Sequence, residues 1–144
     1  MVTSESAWAP EELDRIDTAD ELQIAVRRDD GSLRRWLPIW VVRVGDAVYV
    51  RTWHRRETGW FGRVLSTQRA RVRVPGVEVD VAVEDLGEGP ADLRVGVDAA
   101  YRAKYGRYGR SSLDAMIADA AAASTLRLVP RRSGGLPTAQ IGEP

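Results

Sequence analysis

The chain has 144 residues, 44% of them apolar, and a formal net charge of +0. That suits one globular domain with a real core, and the neutral balance removes any global attraction to nucleic acid or a membrane surface. Cysteine is absent, which excludes disulfides, thiolate nucleophiles and thiolate metal sites. No apolar run approaches membrane length and Met1 opens no basic-then-apolar leader, so a soluble cytoplasmic protein is expected.

Residues 1–9 read as a flexible N-terminus, apart from Trp8. Pro10 to Ala19 predict a short helix, with Pro10 in the first turn, Glu11 and Glu12 at its positive end, and Leu13 and Ile16 inward. Glu21 to Arg28 alternate as a half-buried strand, and Asp29-Asp30-Gly31-Ser32 turns the chain. Arg35 to Val50 then read as two strands around a Gly45-Asp46 turn, rich in β-branched and aromatic residues. In that register Val44 faces Ala47, Val42 faces Tyr49, and Trp40 faces Arg51, with the guanidinium over the indole. Pro38 cannot donate to a ladder, so it belongs at an edge or a bulge.

Thr52 to Thr58 form a polar and aromatic loop, and Gly59 to Leu65 a short helix. Arg69 to Val83 are a hairpin turning at Pro75-Gly76, which sets Arg73 opposite Glu78 and Arg71 opposite Asp80 as cross-strand ion pairs. A helix runs from Gly89-Pro90 to about Tyr105, with Leu93, Val97, Tyr101 and Tyr105 on one face. Ser111 or Ser112 is placed to cap another helix that turns Met116 and Ile117 inward. Thr125 to Val129 are a final strand, and residues 131–144 are expected to be disordered. Residues 10–130 thus form one α+β domain, a six-stranded antiparallel split β-barrel with peripheral helices.

The run Arg35-x-x-Pro38-Ile39-x-Val41-Val42-x-x-Gly45-Asp46-x-x-Tyr49-Val50, with Trp60-Phe61 and the turn at Pro75-Gly76, resembles the split-barrel flavin- and deazaflavin-binding superfamily. Ile39 to Asp46, Tyr49-Val50-Arg51, Trp60-Phe61, Tyr101 to Tyr105 and Thr125 to Pro130 resemble more closely an uncharacterised bacterial family common in actinobacteria, domain of unknown function 2255. That resemblance spans about residues 8–132. The superfamily implies a barrel that often dimerises and holds FMN or a deazaflavin coenzyme in the dimer groove. Its deazaflavin branch follows the aromatic pair with Asn-Leu and carries a Gly-Arg-Lys-Ser-Gly phosphate loop. Here the corresponding stretches read Gly62-Arg63-Val64-Leu65 and Asp29-Asp30-Gly31-Ser32.

Three constellations could carry chemistry. Between Arg51 and Arg73, seven arginines meet one acid, Glu57, and Arg51, Arg55, Arg56 and Arg63 are anion-site candidates that could equally form a solvated loop. Trp36, Trp40, Trp53, Trp60 and Phe61 could stack on a planar ligand or fill the core; Trp53 is the one placed beside the basic loop. Tyr101, Lys104, Tyr105 and Tyr108 lie within two helical turns, where a lysine could lower a tyrosine pKa. Packing against a domain or dimer surface is the plainer use of these tyrosines. His54 is the only histidine, so no metal site is expected, and no Walker, Rossmann or serine-hydrolase motif is present.

The leading expectation is a homodimeric binder of a flavin, deazaflavin or similar anionic aromatic molecule, with an oxidoreductase role as the use expected of it. Arg51, Arg55 and Arg63 would hold anionic groups and Trp40, Trp53 and Trp60 would meet the ring. The alternatives are a cofactor-independent small-molecule enzyme of cyclase or isomerase type, with Tyr101, Lys104 and His54 as catalytic candidates, or a dimeric interaction module. Neither nucleic acid nor membrane is an expected partner.

Overall fold

A computed structural model describes residues 7–52, 59–108 and 110–131. Helix α1 (Pro10–Thr18) begins where Pro10 needs no hydrogen-bond acceptor, and the Glu12 carboxylate accepts the Ala9 N–H at 2.9 Å. Its Leu13 and Ile16 are buried. The N-terminal flank is tied down at Trp8, which is buried and donates its indole N–H to Leu128 O at 3.0 Å.

The strands are β1 (Leu22–Val26), β2 (Leu37–Ile39), β3 (Val42–Val44), β4 (Ala47–Val50), β5 (Arg69–Val74), β6 (Val77–Gly87) and β7 (Thr125–Pro130). Helix α2 (Gly59–Thr67) lies between β4 and β5. Helices α3 (Ala91–Tyr105), α4 (Arg110–Ile117) and α5 (Asp119–Ala122) lie between β6 and β7. All seven strands join one antiparallel sheet in the order β2-β1-β5-β6-β7-β4-β3.

The edge strands β2 and β3 are separated in the chain by Trp40 and Val41 alone. Three Cα steps of about 3.8 Å limit that gap to ~11 Å, so the sheet must curl until its edges meet. The result is the split barrel. One face of the strands, with α1 and α2, buries a core that includes Ile24, Val48, Phe61, Val72, Val81 and Leu126. The opposite face of β3 and β4 packs Val42 and Tyr49 against Val97, Tyr101 and Tyr105 of α3 and Met116 of α4. Val48 and Tyr49 therefore serve different cores, as alternation along a strand requires.

The two hairpin turns follow their glycines. Gly45 takes φ +60° at the first central position of its turn, and Gly76 takes φ +87° after Pro75, the arrangement a type II turn needs. Both registers match expectation: Val42 pairs with Tyr49, Arg73 with Glu78 and Arg71 with Asp80.

Four local expectations need correction. The sheet has seven strands, because the first arm of the Arg35–Val50 stretch breaks at Trp40-Val41 into β2 and β3, which go to opposite edges. Trp40 consequently leaves the ladder; its ring stacks on Tyr105 (centroids 4.0 Å apart, 5° between planes), and the Arg51 guanidinium lies over Tyr101 instead. On the β5–β6 face Arg71 takes both acids, Glu78 at 2.7 Å and Asp80 at 3.0 Å. Arg73 bonds Gln23 and covers the Trp36 ring at 4.0 Å. Finally, α4 spans Arg110–Ile117, so Ser111 and Ser112 take helical positions rather than preceding the helix. The expected disordered tail falls outside the described residues, except Arg131.

The barrel corner is held from α3. The Val41 N–H donates to the Tyr105 hydroxyl oxygen at 3.0 Å, and that hydroxyl donates to Asp20 O at 2.8 Å. Replacing Tyr105 by Phe keeps the ring stack and removes both bonds, leaving a buried N–H without its acceptor. Urea unfolding of Tyr105→Phe is expected to show a loss of about 1–3 kcal/mol; an unchanged midpoint would mean that the corner does not depend on this hydroxyl.

Candidate functional site

The residues singled out from the sequence separate into three places. The first is the end of β4, where Arg51 is enclosed with its side chain 0% exposed. Its Nε donates to Thr125 Oγ1 at 2.9 Å. Its Nη1 donates to Asp98 at 2.6 Å and to Met116 O at 3.0 Å. A buried guanidinium needs such partners, since an unpaired charge in a low-dielectric interior is very costly. Asp98 in turn receives Arg94 Nε at 3.4 Å, and Arg94 also reaches Glu88, Asp119 and Ile117 O. Two arginines therefore cap the C-terminal carbonyls of α4, where cations oppose the negative end of the helix dipole.

Two buried atoms of this centre have no hydrogen-bond partner among the described residues: Arg51 Nη2 and the Tyr101 hydroxyl. Burial pushes the Tyr101 hydroxyl pKa up, and the nearby Arg51 charge only partly opposes it. The expected lowering of a tyrosine pKa by Lys104 is not what the structure provides at Tyr101. Any contact of Arg51 with an anion would fall to Nη2, because its other N–H groups are engaged.

The second place is Lys104, the only lysine in the chain. Its amine donates to Ile16 O at 3.0 Å and Val41 O at 2.9 Å, and lies 5.3 Å from the Tyr105 ring centre. Burial pulls its pKa down from 10.5 to about 8, against the pull of Asp17 and Asp20, which favour the charged form. Lys104 also lines an open cleft of about 460 Å³ between α1, β3 and α3, together with Asp17, Asp20, Arg43 and Arg107. Arg43 pairs with Asp14 and Arg107 with Asp20.

The third place is α2. Trp60 is half-buried, edge-on to Phe61 at 5.6 Å, and packs against the barrel core. Arg63, one turn later, is exposed and forms no ion pair with the described residues. Trp53, His54, Arg55 and Arg56 lie in the stretch 53–58, outside the described residues. Trp40 is spent on Tyr105. The structure thus brings Arg51 to Tyr101 and Lys104 to Tyr105, while Trp60 and Arg63 stand on a separate helix. Asp98 and Thr125 went unnoticed in the sequence. A helical Asp98 three residues before Tyr101 was a faint signal for the first, and nothing pointed to the second. Among the described residues no group of three or more His, Asp or Glu could hold a metal ion, and no helix is long and apolar enough to cross a membrane.

Residues 12–128 match a family described as an uncharacterized protein conserved in bacteria, domain of unknown function 2255. The chain belongs to that family. No curated protein matches it. Among solved structures, a conserved hypothetical protein from Mycobacterium tuberculosis is similar at TM-score 0.57 and 13% identity, over 99% of this chain and 98% of that one. An FAD-binding protein from Mesorhizobium loti aligns at TM-score 0.55 and 16% identity, over 88% and 92%. An FAD- and heme-binding protein from Mycobacterium smegmatis aligns at 0.51 and 19%, over 89% and 68%. At such identities these likenesses establish the split-barrel fold.

Two outcomes test the site geometry. Asp98→Ala strands the buried Arg51 charge and is expected to cost about 3–5 kcal/mol, whereas the paired replacement Arg51→Met with Asp98→Leu should cost clearly less. Equal losses in denaturant would refute the buried-pair reading. For Lys104, the folded pKa lies below the unfolded one, so between about pH 8 and 10.5 the unfolded chain holds more protons. Its contribution to stability therefore rises with pH through that window. Subtracting the profile of Lys104→Met from that of the native chain should leave a rising difference; a flat or falling one would contradict it.

Proposed function

We propose that this protein binds a flavin-class cofactor, FMN or a deazaflavin, through the basic and aromatic residues around α2, and does so as a homodimer. The observation that carries this reading is the pairing on α2 of a half-buried ring, Trp60, with an exposed arginine one turn away that no acid neutralises among the described residues. A planar ring with an anionic tail asks for that combination, stacking from an indole and charge-assisted hydrogen bonds from a guanidinium. Support at the level of fold comes from the FAD-binding barrels that the chain resembles over most of its length.

The turn at the position of the superfamily's phosphate loop does not fit a phosphate. Asp30 accepts both the N–H and the hydroxyl of Ser32, at 2.9 and 2.7 Å, so the turn presents a carboxylate where an anion would need donors. Recognition of an anionic tail would therefore fall to Arg63 and Arg55, since the Arg51 side chain is fully enclosed. Trp60 and Trp53 would meet the ring. When bound, such a cofactor supplies hydride or electron transfer; the chain's part is to orient its ring and hold its charge.

Tryptophan fluorescence titrated separately with FMN and an 8-hydroxy-5-deazaflavin coenzyme tests this. Saturable quenching at micromolar ligand is expected, weakened at least about tenfold in Arg63→Ala, the size of one lost charge-assisted bond. Light scattering should report two chains per particle. Absence of saturable quenching by either compound rules the reading out.

A further inference from the structure

The cleft between α1, β3 and α3 does not belong to the α2 site, and Lys104 is its chemically distinctive member. We propose that this cleft is a second small-molecule site, in which the Lys104 amine is a nucleophile for a small carbonyl compound, an aldehyde or a 2-oxo acid, and forms a Schiff base with it. The proposal does not rest on flavin binding.

The geometry of the amine carries it. Ile16 O and Val41 O accept from Nζ at 3.0 and 2.9 Å. A neutral amine has two N–H groups, so both bonds survive deprotonation and fix the nitrogen in place. Beyond these two carbonyls the amine has the Tyr105 ring as a neighbour, 5.3 Å from its centre, and no third hydrogen-bond acceptor among the described residues, so deprotonation leaves the lone pair at the remaining tetrahedral position. Placing a side chain so that its N–H groups are engaged and its lone pair is free is how a lysine becomes a defined nucleophile. The depressed pKa, about 8, keeps a large neutral fraction near physiological pH.

The acceptors also tolerate the product. Attack of the lone pair on the carbonyl carbon forms a C–N bond and moves the carbonyl π electrons onto oxygen, giving a carbinolamine. Proton uptake and loss of that oxygen as water leave a protonated imine, with one proton consumed overall and no change in oxidation state. The iminium keeps one N–H, which suffices for Ile16 O. Val41 O then has the Tyr105 hydroxyl 3.1 Å away, whose single proton turns to it from Asp20 O. Asp17 and Asp20 stand on the same cleft, and Asp17 has no hydrogen bond or ion pair among the described residues, so a carboxylate is available to relay the proton. Arg43 and Arg107 line the same cleft, and a 2-oxo acid's carboxylate would exchange with Asp14 or Asp20 for one of these guanidinium groups.

A single lysine makes the test clean. The full chain is incubated at pH 8 with glyoxylate, and separately with propanal, each with cyanoborohydride to fix the imine as a secondary amine. Peptide mapping then measures adduct at Lys104 and at the N-terminal amine, in the native protein and in urea. Native Lys104 is expected to react at least about tenfold faster than Lys104 in urea, because burial raises its neutral fraction. Its rate should rise with a midpoint near pH 8. Faster reaction of glyoxylate would assign the 2-oxo acid, and equal rates a plain aldehyde. Protection of native Lys104 relative to urea, or an adduct confined to the N-terminus, overturns the proposal and leaves the amine as a structural clamp.

Discussion

The corner at Trp40 and Val41 governs the architecture. A curled sheet whose edge strands are joined by two residues has to turn abruptly where backbone groups leave one ladder before joining the other. Those groups still need partners when buried. Val41 is fully buried, and its N–H and C=O are met from outside the sheet, by the Tyr105 hydroxyl and the Lys104 amine. The same two side chains reach Ile16 O and Asp20 O at the end of α1. One turn of α3 thus fixes the sheet's seam and the helix beside it.

Arg51 does comparable work at the far end of the second core. It ties β4 to α3 through Asp98, to α4 through Met116 O and to β7 through Thr125. Burying a charge so completely stabilises only when every partner is present, so the centre specifies one arrangement of α3 and α4 more than it adds stability. The two groups left unpaired there, Arg51 Nη2 and the Tyr101 hydroxyl, mark where that arrangement is unfinished among the described residues.

Function divides along the same lines. The residues that most resembled an anion site in the sequence include one that the fold consumes, Arg51, and one that it leaves exposed on α2, Arg63. The tyrosine–lysine group is resolved differently from its spacing: Lys104 serves the corner and the cleft, while Tyr101 faces the arginine centre. Position on a helix brought them near, and the surrounding elements gave each a separate task.

Sequence alone determined most of the elements here. The alternation of Val72, Val74, Val77, Val79 and Val81 with charged residues, the Pro75-Gly76 turn and the spacing of Val97, Tyr101 and Tyr105 are local signals, written by side-chain periodicity and backbone preference. The register of both hairpins and the α+β barrel class were legible for that reason. Tertiary structure decided what local signals cannot carry. A β-branched and aromatic run through Leu37 to Val44 does not reveal that the strand divides at Trp40 and feeds two sheet edges, because closure depends on strands distant in the chain. Nor does a run of arginines reveal which one is buried. Asp98 lies 47 residues from Arg51 and Thr125 lies 74, and only the folded sheet and its helices bring those groups within hydrogen-bonding distance.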